Sequence, residues 1–261
     1  MLKKISSLQN SGIKELIKLK KARERKKQDL ILIEGRHEIS LALEAGIEIN
    51  KLYLCEDFSS DNNFTVKISE DITELVSKEV FEKISNRENP DGYLALANTP
   101  KLELQNVRLS KNPLVVILEA VEKPGNIGAI IRSADATGVD VIIINDAKTD
   151  IYNPNIIRAS LGSIFTKQIV VASPEKTIEW LKMNKITSFA TTPDAKNEYI
   201  DSDFTKPSAF LIGTEHEGLS DLWLSKADEK LRIKMAGKID SLNASVSAAI
   251  VLFEAVRQRR K

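Results

Sequence analysis

"PLVVILEAVEKPGNIGAIIRSADATG", residues 113–138, decides how the rest of the chain is read. It opens with a run of apolar and β-branched residues, the pattern of a buried strand. A Pro-Gly turn follows, and beyond it an apolar helical pattern continues to Gly138. A strand feeding a helix through a glycine-bearing turn superficially matches a dinucleotide site. The glycines at 125, 128 and 138 do not give the G-x-G-x-x-G spacing that lets backbone approach a pyrophosphate, so an NAD-dependent enzyme is poorly supported.

Working outward, the same alternation continues to the C-terminus. Strands are expected at 114–119, 140–144, 167–172, 186–190, 208–212 and 230–233, with helices near 126–137, 153–160, 174–183 and 243–257. Strands apolar on both faces belong in a parallel sheet covered by helices, so the fold class is α/β. Towards the N-terminus, a basic helix leads to "LILIEGRHEISLALEAG". Strands at 51–54 and 64–68, a helix at 70–78 and a strand at 92–96 then complete a smaller α/β unit. The weakly hydrophobic segment 98–112 is the linker candidate. The expected division is a domain over 1–105 and a second over 106–261.

Composition narrows the class. The chain has 261 residues, 42% of them hydrophobic, which is ample for a core. No stretch approaches a membrane span and no signal-peptide core follows the N-terminus, so a cytoplasmic location without membrane attachment is the expectation. With Cys55, His37 and His216 as its whole complement of Cys and His, the chain is expected to carry neither a disulfide framework nor a metal. Cys55 reads as a buried thiol. The net charge of +1 conceals an asymmetry: residues 1–30 hold ten Lys or Arg against Glu15, Glu24 and Asp29. With the terminal "RQRRK", such basic ends suit an anionic polymer. The alternative is a solvated amphipathic helix packing through Ile13, Leu16, Ile17 and Leu19.

Three segments carry candidate chemistry. After the first strand, Asn126 can cap the helix, Gly128 permits close packing, and Arg132 presents a fork of donors or a surface ion pair. In "SAFLIGTEHEGLS", a strand runs into Gly213, Thr214, Glu215, His216, Glu217 and Gly218, at the end where open α/β sheets bind ligands. There the glycines can bring backbone against a flat ring, and Glu215 can accept hydrogen bonds or hold Arg132. His216 can titrate near neutrality or simply sit exposed. In "LRIKMAGKIDSLNASVSAAIVLFEA", Ser241 and Asn243 are helix caps or part of a narrow pocket wall, followed by a face of small residues.

Together the stretches "NIGAIIRSADATG" (126–138), "NPNIIRASLGSIF" (153–165), "FLIGTEHEGLS" (210–220) and "IKMAGKIDSLNASVSAAIVLFEA" (233–255) resemble the SpoU, or TrmH-like, branch of RNA 2′-O-ribose methyltransferases in the SPOUT superfamily. "LILIEGRHEISLALEAG" and "ISNRENPDGYLALA" are similar to the family's N-terminal L30e-like RNA-binding domain. The resemblance implies a parallel sheet with a deep trefoil knot, which ordinary fold rules would not predict. It also implies a homodimer in which Arg132 lies near a methyl donor held by the partner. S-adenosylmethionine is the implied cofactor, held by Thr191, Gly213, Glu215, Ile233, Met235, Leu242 and Asn243. The implied catalytic set is Arg132, Asn126, Glu215, Ser241 and Asn243. Arg36, Arg87, Arg132, Arg158 and Ser160 are the implied RNA contacts, with structured RNA, foremost 23S ribosomal RNA, as substrate. A tRNA methyltransferase and a noncatalytic ribosome-assembly protein are the alternatives. Phe81 and Tyr93 read equally well as core aromatics and as stacking platforms.

Methyl transfer to a ribose hydroxyl requires oxygen, methyl carbon and sulfur in line and a destination for one proton. An arginine is an awkward general base, so Arg132 is expected to stabilise charge and position the acceptor. Ser241 lacks the partners of a protease-like nucleophile.

Overall fold

The computed structural model describes residues 4–59 and 68–260, and the chain forms two compact units. One comprises Met1–Pro100 together with Tyr152–Thr166. The other comprises Lys101–Ile151 and Lys167–Lys261.

In the first unit, α1 (Ser11–Leu19) starts at Asn10, whose side chain accepts from the N–H groups of Gly12 at 2.9 Å and Ile13 at 3.3 Å. Ile13, Leu16 and Leu19 recur at i, i+3 and i+6 and are buried. The chain continues as α2 (Ala22–Gln28), β1 (Leu30–Glu34), α3 (Arg36–Glu44), β2 (Ile49–Leu54), β3 (Thr73–Leu75), α4 (Lys78–Ile84) and β4 (Tyr93–Asn98). The sheet runs β1-β4-β2-β3, with β4 antiparallel to both neighbours and β3 parallel to β2. The α1 stripe packs with Leu32, Tyr53, Val80, Phe81, Ile84 and Leu94. Phe81 is fully buried and Tyr93 nearly so, which makes both core aromatics. Cys55 is buried, and burial raises its thiol pKa.

Two expectations fail here, and one falls largely outside the described residues. The strand expected at 64–68 lies, but for its last position, among residues that are not described. The helix expected at 70–78 is a single 3-10 turn, Glu70–Ile72, followed by β3, whose residues pair with β2 from Leu52 onward. Ile72, Leu75 and Val76 imitate a helical period in sequence, but the sheet claims the segment. The real helix, α4, starts after the Ser77 cap. The basic N-terminal run is also partly structural. Arg25 is buried and donates to the carbonyls of Leu19 and Lys20, closing α1, while the Lys20 ammonium donates to Ser85 O at 2.5 Å. Lys14, Lys21, Arg23, Lys26 and Lys27 stay exposed.

The second unit is a seven-stranded sheet with every adjacent pair parallel. In chain order come β5 (Leu114–Glu119), α5 (Pro124–Ala136), β6 (Val141–Asn145), α6 (Pro154–Ala159), β7 (Gln168–Val171), α7 (Pro174–Met183), β8 (Thr187–Thr191), β9 (Asn197–Glu198), β10 (Ser208–Ile212), α8 (Asp221–Lys226), β11 (Glu229–Arg232) and α9 (Ala244–Arg259). The strand order is β7-β6-β5-β10-β8-β11-β9. Every residue of β5, β6 and β10 is buried, as their unbroken apolar runs require. The short β9 and α8 carry too few residues for a periodic signal and were not expected.

The segment around α6 belongs to the first unit. There it packs on β1 through buried Ile156 and Ile157, and at Gly162 (φ +77°) a Cβ would lie 3.0 Å from Glu38 Cα. The supposed linker is no loose tether either. Leu102, Leu104, Val107 and Leu109 pack on the second unit's core, and Arg108 exchanges backbone hydrogen bonds with the Gln168 side chain. Its low mean hydropathy hid four apolar residues that pack on that core.

The C-terminal basic residues are likewise used internally. Arg257 forms a bidentate pair with Glu254, both contacts 2.7 Å. Arg259 donates to the carbonyls of Phe204, Asn112, Pro113 and Lys206, and burial lowers its pKa. This removes two of the four cations of "RQRRK" from the expected nucleic-acid surface. Arg259→Ala should therefore destabilise the second unit by about 2–4 kcal/mol, since several carbonyls lose a charged donor together. Urea unfolding followed by tryptophan fluorescence checks this, and an unchanged midpoint contradicts it.

Candidate active site

At the carboxyl ends of β8, β10 and β11 the second unit opens a cleft of about 360 Å³. This is the end of an open parallel sheet where strands stop and loops diverge. The loop following β10 is tightly folded. Thr214 and Gly218 pair across it, with the Thr214 N–H donating to Gly218 O at 3.0 Å, and the Glu217 N–H donates to Thr214 Oγ1 at 2.9 Å. Gly213 is obligatory, because a Cβ there would stand 2.1 Å from Gly218 O. Beyond the loop, Ser220 caps α8, and its N–H and hydroxyl donate to the Glu119 carboxylate at 2.8 and 2.7 Å. Glu119 ends β5 and is only 5% exposed, so a buried anion fastens the loop's far end.

Glu215 reaches from this loop to the starts of two helices. Its Oε1 accepts from Asn126 Nδ2 at 2.7 Å and from Asn243 Nδ2 at 2.6 Å, while its Oε2 accepts from the Lys123 ammonium. Asn243 Nδ2 also donates to Asn126 Oδ1 at 3.1 Å, closing a ring of three side chains. Asn243 Oδ1 caps α9 by accepting from the Ser245 N–H at 2.9 Å. Neither α5 nor α9 has an acidic residue in its first turn, so Glu215 supplies the anion that suits both positive helix ends. Lys123, and then the Asn126 amide, hold the Glu215 carboxyl below its usual pKa against the opposing effect of desolvation.

The cleft has a one-sided charge. Asp194, Glu215, Glu217 and Asp240 line it, and no Lys or Arg does so among the described residues. Gly213, Ile233, Met235 and Leu242 contribute backbone and apolar surface, and Ser241 lines it beside Asp240, to which its hydroxyl donates at 3.2 Å. Thr191 also lines it, with Oγ1 sealed from solvent and without a hydrogen-bond partner. Among the described residues no group of three His, Cys, Asp or Glu is arranged to hold a metal ion.

Several expectations change. Asn126 does not cap α5, which begins at Lys123 without a side-chain cap. Ser241 caps nothing, since Asn243 has that position. Asn243 turns to the ring and is not part of the cleft lining. Arg132 does not pair with Glu215, whose cation is Lys123. It stands exposed on α5, six residues from Asn126 and so about 120° around the helix, outside the cleft lining. In the first unit, Ser160 is no RNA contact: it is fully buried and its hydroxyl donates to Ile157 O. Arg87 donates to Glu34 O at 2.7 Å and Glu38 Oε1 at 2.6 Å, a fold-holding pair that sits over Gly35. Arg36 is half-buried with its N–H on Asp91, and Arg158 is exposed. Lys123, Glu119 and Asp194 escaped the sequence reading. A lysine at a helix N-terminus, electrostatically out of place, was the available signal for the first.

The profile of the SpoU rRNA Methylase family matches residues 113–253, which contain the ring, the loop and the whole lining of the cleft. The chain belongs to that family. An MRM3-like substrate binding domain matches residues 10–95. A 23S rRNA uridine 2′-O-methyltransferase of Streptomyces viridochromogenes is 33% identical over 87% of this chain and 83% of its own length. A crystal structure of an RNA 2′-O ribose methyltransferase is 40% identical and superposes with a TM-score of 0.87 over 99% of this chain and all of its own. The SpoU methyltransferase AviRb of Streptomyces viridochromogenes, in complex with the cofactor AdoMet, is 30% identical with a TM-score of 0.88 over 96% of this chain and 99% of its own. The parallel sheet matches these structures, and a trefoil knot is characteristic of their fold.

The loop makes a direct prediction. Gly213→Ala should abolish hydrogen-exchange protection at the Thr214 N–H while leaving β10 protected, because the added methyl displaces the Gly218 carbonyl it would strike. Undiminished protection at Thr214 contradicts the packing described.

Proposed function

We propose that this chain transfers a methyl group from S-adenosylmethionine to a ribose 2′-hydroxyl of structured RNA, with 23S ribosomal RNA as the preferred substrate. The observation that carries this reading is a cleft with four carboxylates and, among the described residues, no lysine or arginine, joined through Glu215 to two helix starts. Such a wall repels the phosphates of a dinucleotide or of RNA and suits a cationic adenosyl ligand. The volume fits a small-molecule site. The orphaned Thr191 hydroxyl offers a hydrogen bond, Gly213 contributes to the lining, and Ile233, Met235 and Leu242 offer apolar contact. When bound, S-adenosylmethionine supplies a methyl carbon on a positively charged sulfur. Relatives that match nearly the whole chain, with its N-terminal unit, support ribosomal over transfer RNA: one is named a 23S rRNA methyltransferase.

In this reading Glu215, Asn126 and Asn243 fix the loop and helix starts that border the donor, and Ser241 contributes to the cleft wall. Arg132 positions the acceptor hydroxyl or its neighbouring phosphate and stabilises charge there. It does so on a second copy of the chain, hence a homodimer. Two features support this: Arg132 is exposed and does not line its own cleft, and α9, packed on α5, exposes Val246 (45%) and Phe253 (52%) one heptad apart. The exposed cations of α1 and α2, with Arg36 and Arg158, are the proposed RNA contacts of the first unit, acting on phosphates rather than bases. No helix among the described residues is long and apolar enough to cross a membrane, and the proposed site of action is cytoplasmic RNA.

Transfer of a labelled methyl group to ribosomal RNA tests the reading, and failure of the folded wild type to bind S-adenosylmethionine overturns it. Arg132→Ala should lower single-turnover transfer by about 100-fold or more. Glu215→Gln should also be defective. Mixing the two inactive proteins should restore activity, because a mixed dimer assembles one site with both residues intact. No recovery after verified subunit exchange rejects the shared site. Mapping ribose methylation across total RNA with and without the active protein identifies the target, and a change confined to tRNA overturns the substrate class.

A further inference from the structure

We propose that Lys123 is a positioning residue: its ammonium pins Glu215 Oε2 and thereby turns Oε1 toward Asn126 and Asn243 together. The inference rests on the methyltransferase reading for its consequence, but on the geometry alone for its mechanism.

A carboxylate at the solvent boundary can rotate and share its oxygens among donors. Here the division is sharp, with both amides on Oε1 and Lys123 on Oε2. Lys123 has no local reason for this placement. It is the N-cap of α5, makes no side-chain cap, and carries a cation where the helix dipole disfavours one. Its side chain is 64% exposed, while its head group meets a carboxylate 92 residues further on that is only 21% exposed. The remaining charged groups facing Glu215 do not replace it. His216 is its neighbour on the same loop, Glu217, Asp194 and Asp240 are like charges lining the same cleft, and α9 presents uncharged Asn243. Without Lys123 the carboxylate keeps two amide donors but loses the cation that donates to it and stays beside the acids of the cleft.

Protonation of Glu215 would put a donor where Asn126 and Asn243 both present donors, so keeping it ionised preserves the ring's polarity. The sign follows from the folded-state pKa being depressed. The stabilisation is complete above the ordinary carboxylate value and is lost as pH falls through the lower folded one. Lys123→Met should move the loss to higher pH, and Lys123→Arg should largely restore it.

The test has two readouts on the full-length protein. Carbon-13 NMR of the Glu215 side-chain carboxyl, without added ligand, follows its titration in wild type, Lys123→Met and Lys123→Arg. The expected result is a midpoint displaced upward in the Met variant and returned toward wild type in the Arg variant. Binding of S-adenosylmethionine, by calorimetry at neutral pH, should weaken roughly three- to fivefold in the Met variant, on the scale of an exposed ion pair. The KM for RNA should not change. Coincident titrations in all three proteins overturn the proposal whatever the cleft binds. A displaced midpoint with unchanged donor affinity rejects the positioning role, and a raised KM for RNA with an unmoved midpoint makes Lys123 a phosphate contact instead. If the NMR shift appears but wild type binds no donor, the methyltransferase reading fails while the pinning of Glu215 stands.

Discussion

A single carboxylate oxygen that accepts two amide hydrogens from two helices is the contact on which the catalytic half of this protein turns. Glu215 Oε1, Asn126 and Asn243 form a ring in which each amide's donor and acceptor ends are assigned by its neighbours. The Asn243 oxygen is committed to the first turn of α9, which fixes its nitrogen toward the ring. That choice in turn fixes which end of Asn126 meets the carboxylate. Networks of this kind set orientation more than they add stability. Its members come from three distant stretches, so the ring can close only when β5, β10 and the start of α9 have reached their native places.

Around the ring, charge is sorted by purpose. The cleft gathers acids, whereas α1 and α2 of the first unit present exposed cations. Cations that sequence alone would assign to RNA prove to serve the backbone: Arg25 closes α1, Arg259 gathers four carbonyls, and Arg87 holds Glu38 over a glycine. Glu119 shows the reverse case, an acid drawn into the interior because Ser220 offers it two donors. The balance between surface and structural use of a charged residue depends on unsatisfied backbone groups nearby, which only the folded chain reveals.

The parallel sheet was legible because β5, β6 and β10 are buried on both faces and so read as unbroken apolar runs. Asn126, Glu215 and Asn243 could be named from motif positions, and the fold brings them together. Their mutual roles were not legible: two asparagines at helix starts look alike, yet one caps and the other does not. Lys123 was passed over because a charged residue before proline reads as an ordinary turn. The misplaced helix at 70–78 and the misread linker share a cause, since both are short apolar patterns whose partner lies far along the chain.

The stretch Tyr152–Thr166 leaves the catalytic sheet between β6 and β7 and completes the fold of the N-terminal unit, although it lies inside the family-matched catalytic region. That unit is therefore not a contiguous module. During synthesis it must wait for a loop encoded some fifty residues beyond its own apparent end. In evolution, grafting it onto another enzyme by fusing the first hundred residues would leave β1 without one of the helices that pack on it. Exchange of RNA specificity between relatives is constrained to travel with this loop, or to proceed by substitution within the unit.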